Sequence, residues 1–491
     1  MYSAVLCVAA AERRFPDGFK FGIATSSYQI EGGWNASDKG VSIWDHFVHT
    51  KPEAIGDRSN GDVACDSYHK WREDIQLLED LNVDFYRFSI SWPRVLPTGF
   101  PNYISEDGAR YYSDLIDGLL EKGIEPVVTM YHWDLPQPLQ DLGGWTNPLI
   151  SEWFADYARV IYDLYGDRVK IWVTINEATA VCDIGYDDLH APGLESEGRG
   201  SYLCTKHVLL AHAKAYRLYE AEYKLKYQGQ VSLTNQMMWL EPETVEDTEL
   251  TELAIALSID RYCYPIFSLA GGWPPALERY MAQKSAQEGE PRSRLPPFTQ
   301  EEIQLVRGSY DYLGLNHYTT HTARPAASGE TIGTYLIDGF KELDVKLGTR
   351  PEWSSTASGW LKVYPEGFRA LLSYIKQQYG DTSIYIMENG FPDAGTDLDD
   401  QPRVDYYTSY LEQVLLAMEE DGVNVVGYSA WSLMDSFEWN DGYQVRLGLH
   451  HVDFTSPART RTARRSAKYY AAVARTKDID AEYQFDKIAD E

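Results

Sequence analysis

Lys170-Ile-Trp-Val-Thr-Ile-Asn176-Glu177 is a short run, mostly apolar with no in–out alternation, that ends abruptly on an amide and a carboxylate. Strands covered on both faces have this composition, whereas half-exposed strands alternate. Seven further stretches are candidate strands, several of them near-continuous apolar runs as well: Phe19–Ala24, Asp84–Ile90, Pro126–Tyr131, Val231–Leu240, Tyr312–Asn316, Ser383–Met387 and Val425–Trp431. Helical patterns fall between them. Tyr68, Trp71, Ile75, Leu78 and Leu81 recur at three- and four-residue spacing, and similar periodicity runs through Tyr111–Leu120, Phe154–Leu164, Val208–Tyr219, Phe368–Ile375 and Tyr406–Met418. Gly123, Gly166, Gly380 and Gly422 stand where each helix should close on a left-handed cap. Strand–helix alternation with one-way connections predicts an α/β fold, a single (β/α)8 barrel with extended loops at its C-terminal mouth. An open doubly wound sheet is the rival, but no GxGxxG follows the first strand. Insertions before the sixth strand, and over residues 320–360 after it, read as excursions around the mouth.

Composition narrows what such a barrel could do. The chain has 491 residues with 44 Lys+Arg against 74 Asp+Glu, a formal charge of −30. That field repels phosphate backbones and anionic lipid, so no nucleic-acid partner is expected. No stretch approaches the apolar length of a membrane span, so no membrane partner is expected either. Aromatics are abundant, with 14 Trp, 36 Tyr and 16 Phe, and flat rings with polar tips suit stacking on sugars as well as core packing. Five cysteines (Cys7, Cys65, Cys182, Cys204, Cys263) show no metal-ligand spacing; scattered buried thiols are the favoured reading, though the four beyond Cys7 allow three disulfide pairings. Residues 1–14 read as the remnant of a signal peptide or an N-terminal extension, with Met1–Ala11 apolar, residues 15–475 as the domain, and 476–491 as a tail. With the sequon Asn35-Ala36-Ser37, this inclines toward a secreted, extracellular protein of a digestive lumen.

Active sites of such barrels collect at the C-terminal ends of the strands. Here the fourth strand ends in Asn176-Glu177 and the seventh in Glu388-Asn389, each a carboxylate beside an amide. Other strand ends supply Arg87, His132, Asn316 with Tyr318, and Trp431. Two acids ringed by amides, imidazole and indoles suit the hydroxyls and faces of a sugar. One acid must hold a proton for the leaving oxygen while the other is ionised to attack the anomeric carbon, and nearby like charges push the two pKa values apart. Structural ion pairing at a barrel rim is the plainer alternative for the two glutamates.

These motifs resemble glycoside hydrolase family 1, the β-glucosidase family. Met387-Glu388-Asn389-Gly390 is similar to its nucleophile motif, and Thr174-Ile-Asn176-Glu177-Ala178 to its acid/base motif. Phe19-Lys-Phe-Gly-Ile-Ala-Thr-Ser-Ser-Tyr-Gln29-Ile-Glu31-Gly32, Tyr86–Trp92, Tyr131–Pro136 and Trp431–Trp439 fit further family blocks, so the resemblance spans about residues 15 to 475 and is nearest to animal, particularly insect, members. It implies a retaining β-glucosidase that releases terminal β-D-glucosyl residues from cellobiose, oligosaccharides or aryl and alkyl glucosides. Glu388 would be the nucleophile and Glu177 the acid/base. Gln29, His132, Asn176, Glu438 and Trp439 would bond the glycone, with Trp431 stacked beneath it and Trp360 as aglycone platform. Arg87, Asn316 and Tyr318 would orient the nucleophile, while His317 should face away. No metal or cofactor is implied; the partner is a small β-glucoside, and the protein a monomer or homodimer.

Four positions depart from the family pattern: Ala178 for the usual Pro, Met387 for Thr, Ser436 for Asn, and Leu447 for an aromatic near the sugar 6-OH. Leu447 leaves glucose, galactose and fucose open, and Ala178 removes a constraint on the loop holding Glu177. Two other functions compete. A myrosinase-like thioglucosidase needs a basic aglycone side for its sulfated substrate, against which stand Asp183, Asp187, Asp188 and His321. A klotho-like binding module typically lacks one or both glutamates, and both are present here.

Overall fold

In the computed structural model, residues 13–186, 189–196 and 198–485 are described. Eight parallel strands close into a barrel: Lys20–Ala24, Phe85–Ser89, Glu125–Tyr131, Ile171–Asn176, Gln230–Gln236, Leu313–Asn316, Ile384–Glu388 and Val425–Trp431. The first pairs with both the second and the eighth, which removes the edges. Helices Ser67–Leu81, Glu106–Glu121, Ile150–Tyr165, Gly200–Glu222, Pro365–Tyr379 and Gln401–Glu419 pack outside at the periodic stretches of the sequence. Between the fifth and sixth strands the chain instead breaks into several helices, among them Thr248–Ile255, Arg261–Phe267 and Pro275–Gln287. Phe85, Val127, Ile171, Val173, Tyr312 and Met387 fill the barrel interior as an apolar plug beneath the mouth. Met387, the departure from Thr, is therefore a core residue. No described helix is long and apolar enough to cross a membrane.

Several expectations are corrected. The apolar run 231–240 is not one strand. The barrel strand stops at Gln236, and Trp239–Pro242 joins a separate four-stranded sheet with Thr320–Pro325, Gly339–Phe340 and Val345–Gly348. Leu240 is apolar because it is buried under that excursion. Gly123 and Gly422 have the expected positive φ, but Gly166 is right-handed at φ −64°. A Cβ at Gly166 would lie 2.6 Å from the Tyr162 carbonyl oxygen and 2.7 Å from the Tyr227 ring, so close packing selects the glycine. Gly380 has positive φ with ψ −156°, outside the left-handed helical region.

The cysteines are not all thiols. Cys182 and Cys204 form a disulfide with a Cα–Cα distance of 5.4 Å, while Cys65 and Cys263 are buried and free. Cys182 lies in the turn after Glu177 and Cys204 in the first turns of the next helix, a fold-back that spacing alone cannot display. Cys7 and the apolar start lie outside the described residues. Backbone bonds from Phe15 to Lys477 (2.7 Å) and from Ile479 to Arg13 (3.1 Å) pair the two terminal segments.

Candidate active site

Strand register gathers the predicted residues at one end of the barrel. Ala24 lies opposite both Arg87 and Trp431, and Asn316 opposite Glu388. The register shifts just before each acid, between Val173 and Asn176 and between Ile386 and Glu388. Such irregularities re-aim a side chain, here from the sheet plane toward the mouth. Trp133, Glu177 and Trp439 carry φ of 76°, 48° and 48°. For bulky residues that conformation costs about 1–3 kcal/mol each, and such strain clusters at functional sites.

The two glutamates have different neighbours. Glu388 Oε1 accepts from Arg87 Nη1 at 2.6 Å, and Oε2 accepts from the Tyr318 hydroxyl at 2.7 Å. Among the described residues Glu177 accepts only from a neutral amide, Asn316 Nδ2, on its Oε1 at 2.7 Å. Arg87 is wholly buried and spends every arm of its fork: Nε donates to Thr129 Oγ1 at 3.0 Å and Nη2 to Asn176 Oδ1 at 2.6 Å. Lysine, whose three donors all radiate from one nitrogen, could not hold these positions together.

The electrostatics follow. Burial, then the negative charge of Glu388, push Glu177 up to about 8, with Asn316 and Arg87 opposing. Burial also raises Glu388, but Arg87 and the Tyr318 hydroxyl pull it back. A guanidinium in direct contact decides the order: Glu388 loses its proton first and Glu177 keeps one. His132 is held neutral, its pKa driven down by burial and by Arg87. Asn176 Nδ2 lies 3.1 Å from His132 Nε2; donation by the amide assigns the ring proton to Nδ1, which has no protein partner among the described residues.

The cavity above this layer measures 370 Å³. His132, Glu177, Tyr318, Trp360, Glu388, Trp431, Glu438 and Trp439, eight of the residues singled out, line it. Gln29, Arg87, Asn176 and Asn316 do not line it but bond to residues that do. Gln29 Nε2, for example, donates to Glu438 Oε2 at 3.1 Å. Burial and the charges of Asp441 and Glu388 raise Glu438 to about 8. Trp431 lies nearly parallel to His132 at 5.8 Å, and Trp439 packs on Trp133 at 4.4 Å. Trp360 stands edge-on to Tyr318 at 6.2 Å. His317 faces away as expected, its Nδ1 on the Met237 carbonyl and its ring stacked on Phe368.

The departures find their surroundings here. Ala178 is buried, and its neighbours are pinned without proline: Glu177 N–H donates to the Thr234 carbonyl at 2.8 Å and Thr179 Oγ1 to Asn235 Oδ1 at 3.0 Å. Leu447 joins Ala24, Tyr318, Leu361, Trp431 and Val445 in an apolar cluster beside the stacking indole. Of the acids expected to repel anions, only Asp183 lies among the described residues. Asp183 is buried in an ion pair with Arg261, and Asp187 and Asp188 lie outside the described residues. His321 is neutral, lowered to about 4 by burial, and bonds the Trp360 carbonyl. Sequence reading missed the outer wall, built from Ile184, Met238, Leu336, Ile337 and Pro392. Its only signal was the excursion after the sixth strand, whose path the pattern does not reveal.

Comparison with known proteins agrees with this geometry. The family model "Glycosyl hydrolase family 1" matches residues 11–479. Myrosinase 1 of Brevicoryne brassicae is 45% identical over 475 residues, covering 94% of this chain and 99% of its own. The human cytosolic beta-glucosidase is 40% identical over 472 residues, covering 95% and 99%. Among solved structures, an aphid myrosinase superposes with a TM-score of 0.89 at 43% identity, covering 95% of this chain and 100% of its own. A mutant rice beta-glucosidase in a covalent complex with glucose superposes with a TM-score of 0.86 at 38% identity, covering 94% and 98%. The chain is a β-glycosidase and belongs to glycosyl hydrolase family 1.

Proposed function

We propose that the protein is a retaining β-glucosidase acting on β-glucosides with uncharged, largely apolar aglycones. The observation that carries this reading is the unequal pair of glutamates, one on a guanidinium and a phenol, the other on an amide alone. Ionised Glu388 attacks the anomeric carbon as the bond to the leaving oxygen breaks, and Glu177 gives that oxygen its proton. Esterified Glu388 then carries no charge, so the push that raised Glu177 weakens. As a carboxylate, Glu177 can now take a proton from water, whose oxygen displaces Glu388 from the sugar. Two inversions leave the β-configuration retained, a route that needs the carboxyl groups about 5–5.5 Å apart. The rice relative's covalent complex with glucose supports the same intermediate here.

Glucose is the preferred glycone on the strength of His132, Glu438 and the Trp431 face in the cavity. The aglycone preference rests on the outer wall. Its side chains are mainly apolar, and no Lys or Arg is among the described residues lining the cavity. A sulfated thioglucoside would bring a charge that nothing there compensates. The likeness to aphid myrosinase makes that activity the reading to test against. Proton NMR of 4-nitrophenyl β-glucoside hydrolysis should show β-glucose appearing first, with a glucosinolate turned over at least ~100-fold less efficiently. First-formed α-glucose would overturn retention, and efficient glucosinolate cleavage would overturn the aglycone assignment.

A further inference from the structure

Two walls of the cavity meet at one buried arginine outside it. The five-residue turn Ala180–Ile184 follows Glu177, and its Ala180 and Ile184 line the cavity. Asp183 between them does not: its carboxylate pairs with Arg261 and accepts from the Tyr262 hydroxyl at 2.9 Å. The facing wall repeats the pattern. Thr334, Leu336 and Ile337 line the cavity, while the Tyr335 hydroxyl accepts from Arg261 Nη2 at 3.0 Å.

Arg261 is wholly buried, wedged between the rings of Tyr262 at 4.8 Å and Tyr202 at 5.0 Å. Its Nε and Nη1 have no protein partner among the described residues. A buried guanidinium with orphaned nitrogens is an expensive way to fill space, since apolar packing in place of a buried ion pair is often neutral or stabilising. Asp183 and Tyr335 also border a separate cleft of 420 Å³.

We propose that Arg261 is a positioning and specificity-determining residue: through Asp183 and Tyr335 it sets the spacing between the turn that follows the acid and the wall at 334–337, and so selects leaving groups by size. The inference rests on the glucosidase reading above. Glycone binding lies on the other side of the acids and should not sense the change, whereas a bulky aglycone sits between the two walls.

The test compares Tyr335→Phe and Arg261→Met with wild type on methyl, 4-nitrophenyl and 4-methylumbelliferyl β-glucosides, together with inhibition by a glucose-like iminosugar. Tyr335→Phe removes a single hydroxyl and keeps the ring, so it folds even if Arg261→Met does not. Expected for Tyr335→Phe is a KM for the umbelliferyl glucoside raised about 3- to 10-fold, the worth of one hydrogen bond. The methyl glucoside constants and the iminosugar affinity should stay within about twofold. Arg261→Met should widen that gap. Equal losses on all three substrates, or a lower Tm with every kinetic constant unmoved, would reduce Arg261 to a structural ion pair. A wild type that turns over no β-glucoside would instead overturn the glucosidase reading, and this inference with it.

Discussion

Glu177 and Glu388 are the same side chain at the ends of equivalent strands, and their neighbours alone let one keep a proton while the other gives its proton up. Glu388 must be ionised and Glu177 protonated, so kcat/KM should rise as Glu388 loses its proton and fall as pH passes about 8, where Glu177 loses its own. Glu177→Gln should erase the upper limb. It should also lower kcat/KM for glucosides with poor leaving groups by ~10²–10⁴-fold while sparing kcat/KM for activated aryl glucosides, whose oxygen departs without a proton. Rates on a leaving-group series across pH 4–10 check this, and equal slowing of good and poor leaving groups would remove Glu177 from the acid's role. The positions of both acids are legible in the sequence, because carboxylate–amide pairs at the ends of apolar runs can face only the barrel mouth. Their inequality is not legible. It depends on Arg87, Asn316 and Tyr318, which arrive from other strands in a register fixed by hydrogen bonding and by two shifts that no periodicity announces.

At the scale of elements, the barrel reads well from sequence because several strands are near-continuous apolar runs, and the mouth reads poorly because its loops are held by individual contacts. The run 231–240 shows the limit. Burial in the barrel and burial under an excursion leave the same composition, so the break after Gln236 has no signature. The turn Ala180–Ile184 shows another, since its covalent tie joins residues 22 apart through a fold-back that spacing does not encode. That tie has a measurable consequence. Closing a loop of this size restricts the unfolded chain by about 3 kcal/mol, and Cys204→Ser forfeits that restriction. Expected is a Tm lower by a few degrees, with a loss of kcat greatest for poor leaving groups, because the freed turn follows Glu177 directly. Thermal unfolding and the same substrate series measure both effects. An unchanged Tm under oxidising conditions would mean that the cross-link constrains nothing the fold does not already hold.

The whole molecule carries a charge of −30, yet its most consequential carboxyls are the ones burial keeps protonated. Glu177 and Glu438 are raised to about 8, and Asp134 to about 7, mainly by desolvation. Asp134 lies beside the Trp133 wall; its Oδ2 accepts from Ser27 Oγ at 2.9 Å, and its Oδ1 has no protein partner among the described residues. A carboxyl with a raised folded pKa favours the native state fully below its unfolded pKa of about 4 and loses that contribution as pH climbs through the folded value. Asp435 runs the other way: despite burial, His451 and Arg464 hold it well below the usual carboxylate range, so its contribution is present above pH 4 and disappears only in strong acid. Stability should therefore peak on the acid side of neutral, near pH 5, and decline toward pH 8. Asp134→Asn isolates one contribution. The amide keeps an acceptor for Ser27 and cannot ionise, so it should raise Tm modestly at pH 5, about one unit into the loss, and most at pH 8. The ceiling is on the order of 4 kcal/mol, reduced by whatever water relaxes around the charge. Thermal unfolding of both proteins at pH 5, 6.5 and 8 gives the answer: the wild-type decline should shrink in the variant, and an identical decline would show that Asp134 is already ionised in the folded protein at neutral pH.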